Sequence, residues 1–409
     1  METTQGSQKA GRFIISPGRE VSGELTLAGS NTSLFLHDKE HFYNKVIPDR
    51  CILGVLHDLT RVSLLDCITT RSGSGGRGAI EDERYHVANI FPHVVIYGNI
   101  HVKPTDSVIR QVHFLIDDAT TLFNDFDAFG GVIDARPLIE QVVCANAVDR
   151  QIATGPDPEI LYFTGKREIF SVDTVIGRVY ATHNPRRTWG GPGGVRLDNQ
   201  IFLTIAFQGS VVFEEAISRM FVLLRFLDLL VGRRQNLLDT RLSINMDNDK
   251  LAVLQVYHCA SPRREPRGDE DKPHPGDVLL DGAQRPEAFS RILASWLDRQ
   301  ENWCDARMRF DNSFAGQRRF TIDRLVGSAN MFDILPSSAV PPDVELSVEL
   351  RSAKAACRDI FLALPQSPER DSVLSALGRV GKSHLKQKVR YRAQRLVDRV
   401  GDRFAELSV

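Results

Sequence analysis

In the stretch RVGKSHLKQKVRYRAQRLVDRV, residues 379–400, an arginine and a histidine stand five positions apart, Arg379 and His384. A histidine that exchanges a proton near neutral pH, beside a permanent guanidinium, could act on the 2′-hydroxyl and scissile phosphate of RNA. One group would supply acid–base help and the other charge stabilisation. The same spacing recurs at Arg178 and His183, inside a stretch that reads as a strand, so spacing alone does not carry the chemistry. Gly378 and Gly381 put the arginine at one helix end and the histidine near the start of the next. That context suits a turn histidine and a solvated arginine.

Around the histidine runs a set of cations: Lys386, Lys388, Arg390, Arg392, Arg395 and Arg399, with Lys382 and Arg403 beyond them and only Asp398 and Asp402 to offset them. Such a face could track the phosphate backbone of RNA, or form the solvated side of a helix. A second candidate is HNPRRTWGGPGGVRLDN, residues 183–199, which reads as a long loop. There Arg186 and Arg187 beside Trp189 could stack on a base or a sugar, or the loop could simply carry a partly buried indole.

Other patterns fail on residue identity. RSGSGGRGA, residues 71–79, follows a strand but lacks G-x4-G-K-[ST], so it reads as a hairpin loop. NDFDAFGGVIDAR, residues 124–136, places Asp125, Asp127 and Gly130 as a calcium loop would. Phe129 and Arg136, however, occupy positions that need oxygen ligands, so these acids read as turn residues. The six cysteines form no C-x2-C pair, so no zinc cluster is expected and they read as thiols. No Ser–His–Asp or Cys–His set is legible. No catalytic residue, metal or cofactor is assigned.

The elements that must position these residues change character along the chain. Short β-rich segments fill the first half: RFIIS, GELTLAG, TSLFLH, CILGVLH, RVSLLDCIT, HVVIYGNIHV, QVHFLID, EIFSV, VIGRVYATH and IFLTIAFQG. Separated by Gly, Asn and Asp, they predict an antiparallel sandwich or barrel. Ile217, Met220, Phe221, Leu224 and Val231 then form a helical stripe stopped at Gly232, followed by strands at 241–246 and 251–258. Residues 261–284 read as a linker, most clearly in SPRREPRGDEDKPHPGD, residues 261–277. From 285 the apolar period becomes helical. Phe289 to Trp303 mark one helix, Ile322 to Phe332 a second, Leu346 to Leu364 a third, Val373 to Val380 a fourth behind the cap Ser367-Pro368, and Leu385 to Leu407 a fifth. The fold class is therefore α+β: a β-rich domain over 10–260 and a helical region over 285–409. The last stripe reaches Leu407 without a cap, the pattern of a helical bundle that continues.

Composition is that of an ordinary globular protein: 409 residues, 42% hydrophobic and 25% charged, with net charge −1, so no global field draws it to nucleic acid or membrane. The polar start METTQGSQKAGR shows no signal sequence. MFVLLRFLDLLVG, interrupted by Arg225 and Asp228, is too short to span a bilayer. A cytoplasmic protein without a membrane partner is expected.

The order of GELTLAG, ILGVLHDLTRVSLLDC, HVVIYGNIHV with QVHFLID, and FVLLRFLDLLVGRRQNL resembles the N-terminal domain of ApeA-like proteins. SANMFDILP and LKQKVRYRA resemble the helices leading into their C-terminal HEPN domain. The resemblance spans nearly the whole chain. It implies a bacterial anti-phage, abortive-infection protein: a sensor of a phage product coupled to a metal-independent RNase, paired as a homodimer through the HEPN-like helices. In that family the catalytic Arg-Asn-x-His element follows the LKQK-type helix, and no Arg-Asn dipeptide occurs here. Arg379 and His384 fall too early to be that pair. The expectation is a chain that does not cut RNA alone; the other reading is a non-catalytic ligand- or partner-binding regulator.

Overall fold

The structure is a computed structural model that describes residues 8–40, 42, 50–75, 85–132, 134–146, 153–188, 192, 194, 196–245, 251–259, 272–315, 321–342 and 345–401. The chain forms two compact units, Met1–Asp298 and Arg299–Val409.

The first unit is built on strands β1 (Gln8–Ser16), β2 (Arg19–Thr26), β3 (Ser33–Asp38), β4 (Ile52–Leu56), β5 (Arg61–Leu65), β6 (Ile68–Gly75), β7 (Tyr85–Phe91) and β8 (Val94–Gly98). Next come β9 (Ile109–Ile116), the single turn α1 (Ala119–Leu122), β10 (Phe129–Val132), α2 (Arg136–Asn146), β11 (Ile160–Phe163), β12 (Glu168–Thr174), β13 (Gly177–Thr188) and β14 (Arg196–Val211). Helix α3 (Phe213–Val231), β15 (Leu237–Asn245), β16 (Leu251–His258) and α4 (Pro286–Asp298) complete it. Fourteen strands form one sheet in the order β12-β13-β14-β9-β15-β16-β8-β5-β4-β1-β2-β3-β7-β6; β10 and β11 pair separately. Neighbours are antiparallel, as at Arg178↔Ala206 and Arg241↔His113. The α+β class with a β-rich antiparallel first part is the observed one.

This sheet buries opposite faces in its two halves. Side chains alternate along a strand, so adjacent residues of β8 face opposite ways. Val95 joins Phe13, Leu34, Leu36, Ile52 and Leu64 in one core, whereas Ile96 joins Val112, Phe114, Leu203 and Ile205 in the other. α3 covers the second core with Ala216, Met220, Leu223 and Leu227. Gly232, at φ 80°, ends the helix in the left-handed region that a glycine adopts without a Cβ penalty.

Helix α4 belongs to this core as well. Phe289, Leu293 and Leu297 are buried, and the Phe289 ring lies 4.6 Å from Phe170 and 5.5 Å from Phe123. Trp296 packs 5.6 Å from Phe226. The helical period that begins near 285 thus starts inside the β-rich unit. Phe289 and Trp303, read from sequence as one helix, lie on two, α4 and α5 (Gln300–Ala315).

The second unit contains α5, α6 (Ile322–Asp333), α7 (Val348–Leu362), α8 (Pro368–Arg379) and α9 (Leu385–Val400). Their starts follow local chemistry. Thr321, Ser347 and Ser367 accept hydrogen bonds from Arg324, Leu350 and Arg370 backbone N–H groups, which satisfies first-turn donors that otherwise lack partners.

Candidate functional site

His384 is the N-cap of α9. Its Nδ1 accepts from the Gln387 N–H at 3.3 Å, and its own N–H donates to Gln387 Oε1 at 3.0 Å. This reciprocal pair is a capping box with histidine in the Ser/Thr role. Arg379 is the last residue of α8 and folds back on Ser375, reaching its carbonyl at 3.4 Å and its hydroxyl at 3.5 Å. Both residues hold helix ends.

α9 sorts its cations by helical period. Lys388, Arg392, Arg395 and Arg399 step by four, three and four and share one face; Lys386 and Arg390 lie on another. Lys388 is held at the end of α6, with Nζ donating to the Asp333 carbonyl at 2.9 Å and lying 3.5 Å from Oδ1. There it satisfies a C-terminal carbonyl and sits at the negative end of the helix dipole. Lys386, Arg390 and Arg399 are exposed, and Arg395 is half-buried with its guanidinium carbon 5.8 Å from the Tyr391 ring.

The Arg392 guanidinium carbon lies 5.8 Å from the Trp303 ring centroid, a cation–π contact between α9 and α5. Trp303 brings two further cations, because Arg299, Trp303 and Arg307 recur every four residues. Arg307 is 8% exposed and donates to Gln300 Oε1. Burial first, and then the charge of Arg299, lower its pKa to about 10, against an opposing pull from Asp311. Burial likewise lowers Arg392, reinforced by Arg395, Arg399 and Arg299, with only Tyr391 opposing. Among the described residues, no carboxylate pairs with Arg299, Arg392, Arg395 or Arg399. Arg299 and Arg307 escaped the sequence reading. Their four-residue spacing about a tryptophan was legible, but the neighbouring helix was not.

The segment 183–199 differs from the expected long loop. Residues 183–188 and 196–199 are strand, and Arg186 and Arg187 stand opposite Asp198 and Leu197 on the β13–β14 hairpin, with Arg187 exposed. Trp189 lies outside the described residues. Strand pairing continues past Pro185 because this hairpin arm needs no core beneath it, which an apolar pattern does not report.

Two histidines in the β-rich unit have chemistry-like surroundings. His183 is buried between Asp125 and Asn199, with Nε2 3.4 Å from Asp125 Oδ2 and Asn199 Nδ2 2.9 Å from Nδ1. Burial alone would raise the Asp125 pKa; Lys166, the Asp127 N–H and His183 together hold it below the usual carboxylate value. Lys166 Nζ is 2.8 Å away. Asp125, read from sequence as a turn acid, does accept from the Asp127 N–H as in an Asx turn, but its carboxylate is buried in this ion pair. Both ring nitrogens of His183 are engaged, so the cluster fastens the segment after α1 to β13 and β14.

His113 lies between hydroxyls, with Nδ1 2.8 Å from Thr204 Oγ1 and Nε2 2.8 Å from Ser243 Oγ. This Ser–His contact does not make a nucleophile. Ser243 is 2% exposed, no carboxylate orients the other nitrogen, and burial followed by the charge of Arg241 lowers the imidazole to about 4. So weak a base does little at neutral pH.

Among the described residues no group of His, Cys, Asp or Glu could hold a metal ion, and no helix is long and apolar enough to cross a membrane. What the arrangement offers is a cationic surface on the helical unit; the β-rich unit by itself has two packed cores. Residues 8–296 match the family described as ApeA N-terminal domain 1. No curated protein and no solved structure matches the chain.

Proposed function

Since the chain belongs to the ApeA N-terminal domain 1 family, we propose that it is a bacterial anti-phage protein of the abortive-infection type. The β-rich unit recognises a phage product, and the helical unit controls a HEPN-type RNase in the cytoplasm, where its RNA targets are. The observation that carries this reading is the family match over 8–296, which covers nearly the whole first unit. The cations of α9 support RNA contact. The exposed Ile322, Leu325 and Val326 on α6 support pairing with a second copy.

The test is phage plating on bacteria that carry or lack the gene. Protection of at least tenfold against some members of a diverse panel is expected; equal plaque counts across the panel would sink the reading. The purified chain of 409 residues should leave tRNA intact, because the Arg379 and His384 side chains are engaged at helix ends. Cleavage abolished by His384→Ala would overturn that point.

The capping role of His384 also favours the second reading, a regulator that binds ligand and partner without catalysis. Protection without any change in cellular RNA would select it.

A further inference from the structure

Gathering like charges costs free energy in the absence of a counter-charge. Guanidiniums a few ångströms apart repel, and the repulsion strengthens as water is excluded. Arg392, Arg395 and Arg399 occupy one face of α9, and Arg299 acts on both Arg392 and Arg307 from the start of α5. Arg307, two turns along α5 from Arg299, is buried and feels its charge. Among the described residues, none of the nearby acids pairs with Arg299, Arg392, Arg395 or Arg399. Asp311 acts on Arg307, Asp398 accepts from Gln394, and Asp333 holds Lys388. The chain as a whole carries net charge −1, so this is a local concentration of positive charge.

We propose that Arg299, Arg392, Arg395 and Arg399, with Trp303 against Arg392, form a binding site for consecutive phosphates of single-stranded RNA. The site deepens the RNA-controlling role proposed above and rests on it. Three features select a phosphodiester strand over an acidic peptide. Guanidiniums match phosphate oxygens bidentately. Arg392, Arg395 and Arg399 step by about 4.5 and 6 Å along the helix axis, at about 1.5 Å per residue, in the range over which the phosphates of a single strand repeat. Trp303 supplies an aromatic surface beside them, as strand-binding sites do. Lys386 and Arg390, equally basic but on another face, lie outside the site.

The experiment is fluorescence anisotropy of the full chain with a labelled 12-nucleotide RNA over a range of salt. R392Q/R395Q/R399Q should lose at least tenfold in affinity and reduce the slope of log K against log salt by about 2, from ~0.7 per neutralised phosphate. R395Q/R399Q, which leaves Arg392 on Trp303, should lose about fivefold. K386Q/R390Q should stay within twofold of wild type. Because the substitutions relieve repulsion, the melting temperature of the triple variant should equal or exceed that of wild type, which confirms folding. DNA of the same sequence should bind within threefold, since the site reads phosphate. A triple variant that binds like wild type, or a larger loss in K386Q/R390Q, would overturn this site while RNA binding itself stands. A poly-glutamate peptide that binds as tightly as the RNA would overturn the phosphodiester assignment. Wild-type protein that binds no RNA would overturn both the site and the RNA-controlling role, whatever the plating result.

Discussion

Replacing Asp118 by alanine should unfold the first unit far more readily than its place after one β-strand suggests. Asp118 ends the connection from β9, and its carboxylate receives Arg233 in a two-pronged pair, Nε to Oδ2 and Nη2 to Oδ1, both at 2.6 Å. Gln235 adds a third contact from Nε2 at 2.8 Å and takes the Asp118 N–H on its Oε1 at 2.9 Å. The carboxylate is 1% exposed and the arginine side chain 12%. Removing one partner of such a pair strands a buried charge, which costs about 3–5 kcal/mol. Total stability of a domain is only about 5–15 kcal/mol, so D118A should lose a large share of it. Urea denaturation followed by circular dichroism measures the loss. The companion variant D118L/R233M removes both charges and should recover most of it, because an apolar pair avoids the desolvation penalty. A loss below about 1 kcal/mol for D118A, or a double variant as unstable as the single one, would refute the view that a desolvated ion pair locks the end of α3 to the end of β9.

Three further outcomes follow from the same geometry. Burial lowers His113 and His258 to about 4 from 6.5; Arg241 lowers His113 further while Asp239 opposes it. The unfolded chain therefore binds protons that the folded chain refuses, and stability present above pH 6.5 should fall as pH drops toward 4, by about 3 kcal/mol for each histidine at ~1.4 kcal/mol per pKa unit. Urea midpoints in buffers from pH 7.5 to 4 would show this, and His113→Gln should flatten the slope; an unchanged slope in that variant would count against it. His384→Ala should destabilise α9 by about 1 kcal/mol as a lost cap, with His384→Ser restoring most of it by amide exchange. Phe289→Ala should cost the β-rich unit about 3–5 kcal/mol as an emptied core site; slower proteolysis of the β-strands than of the α5–α9 helices in that variant would argue that α4 does not belong to the first core.

Much of the architecture was legible because it is local. Alternation marked TSLFLH and QVHFLID as β3 and β9 within a residue or two and RFIIS as the second half of β1, and the Met220–Leu224 stripe with Gly232 marked α3 and its stop. Ser367-Pro368 announced α8. Strands with weaker patterns escaped, among them β7, β10 and β11, whose burial is fixed by what lies over them. Residues 61–69 read as one strand but bend at Asp66, φ 51°, into β5 and β6.

The candidate site divides along the same line. The sequence by itself determined that α9 is basic and amphipathic, that His384 stands at a helix start, and that a longer β-rich part is followed by a shorter helical one, since each depends on neighbours within a turn or a pleat. Only the tertiary structure decided which core each face of β8 serves and that α4 closes the β-rich unit. It alone also paired Asp118 with Arg233, 115 residues away, and brought Arg299 and Trp303 to the arginines of α9. A periodic pattern specifies which way a side chain points. The group it meets is chosen by long-range packing, where burial and charge act across distances along the chain that no local pattern records.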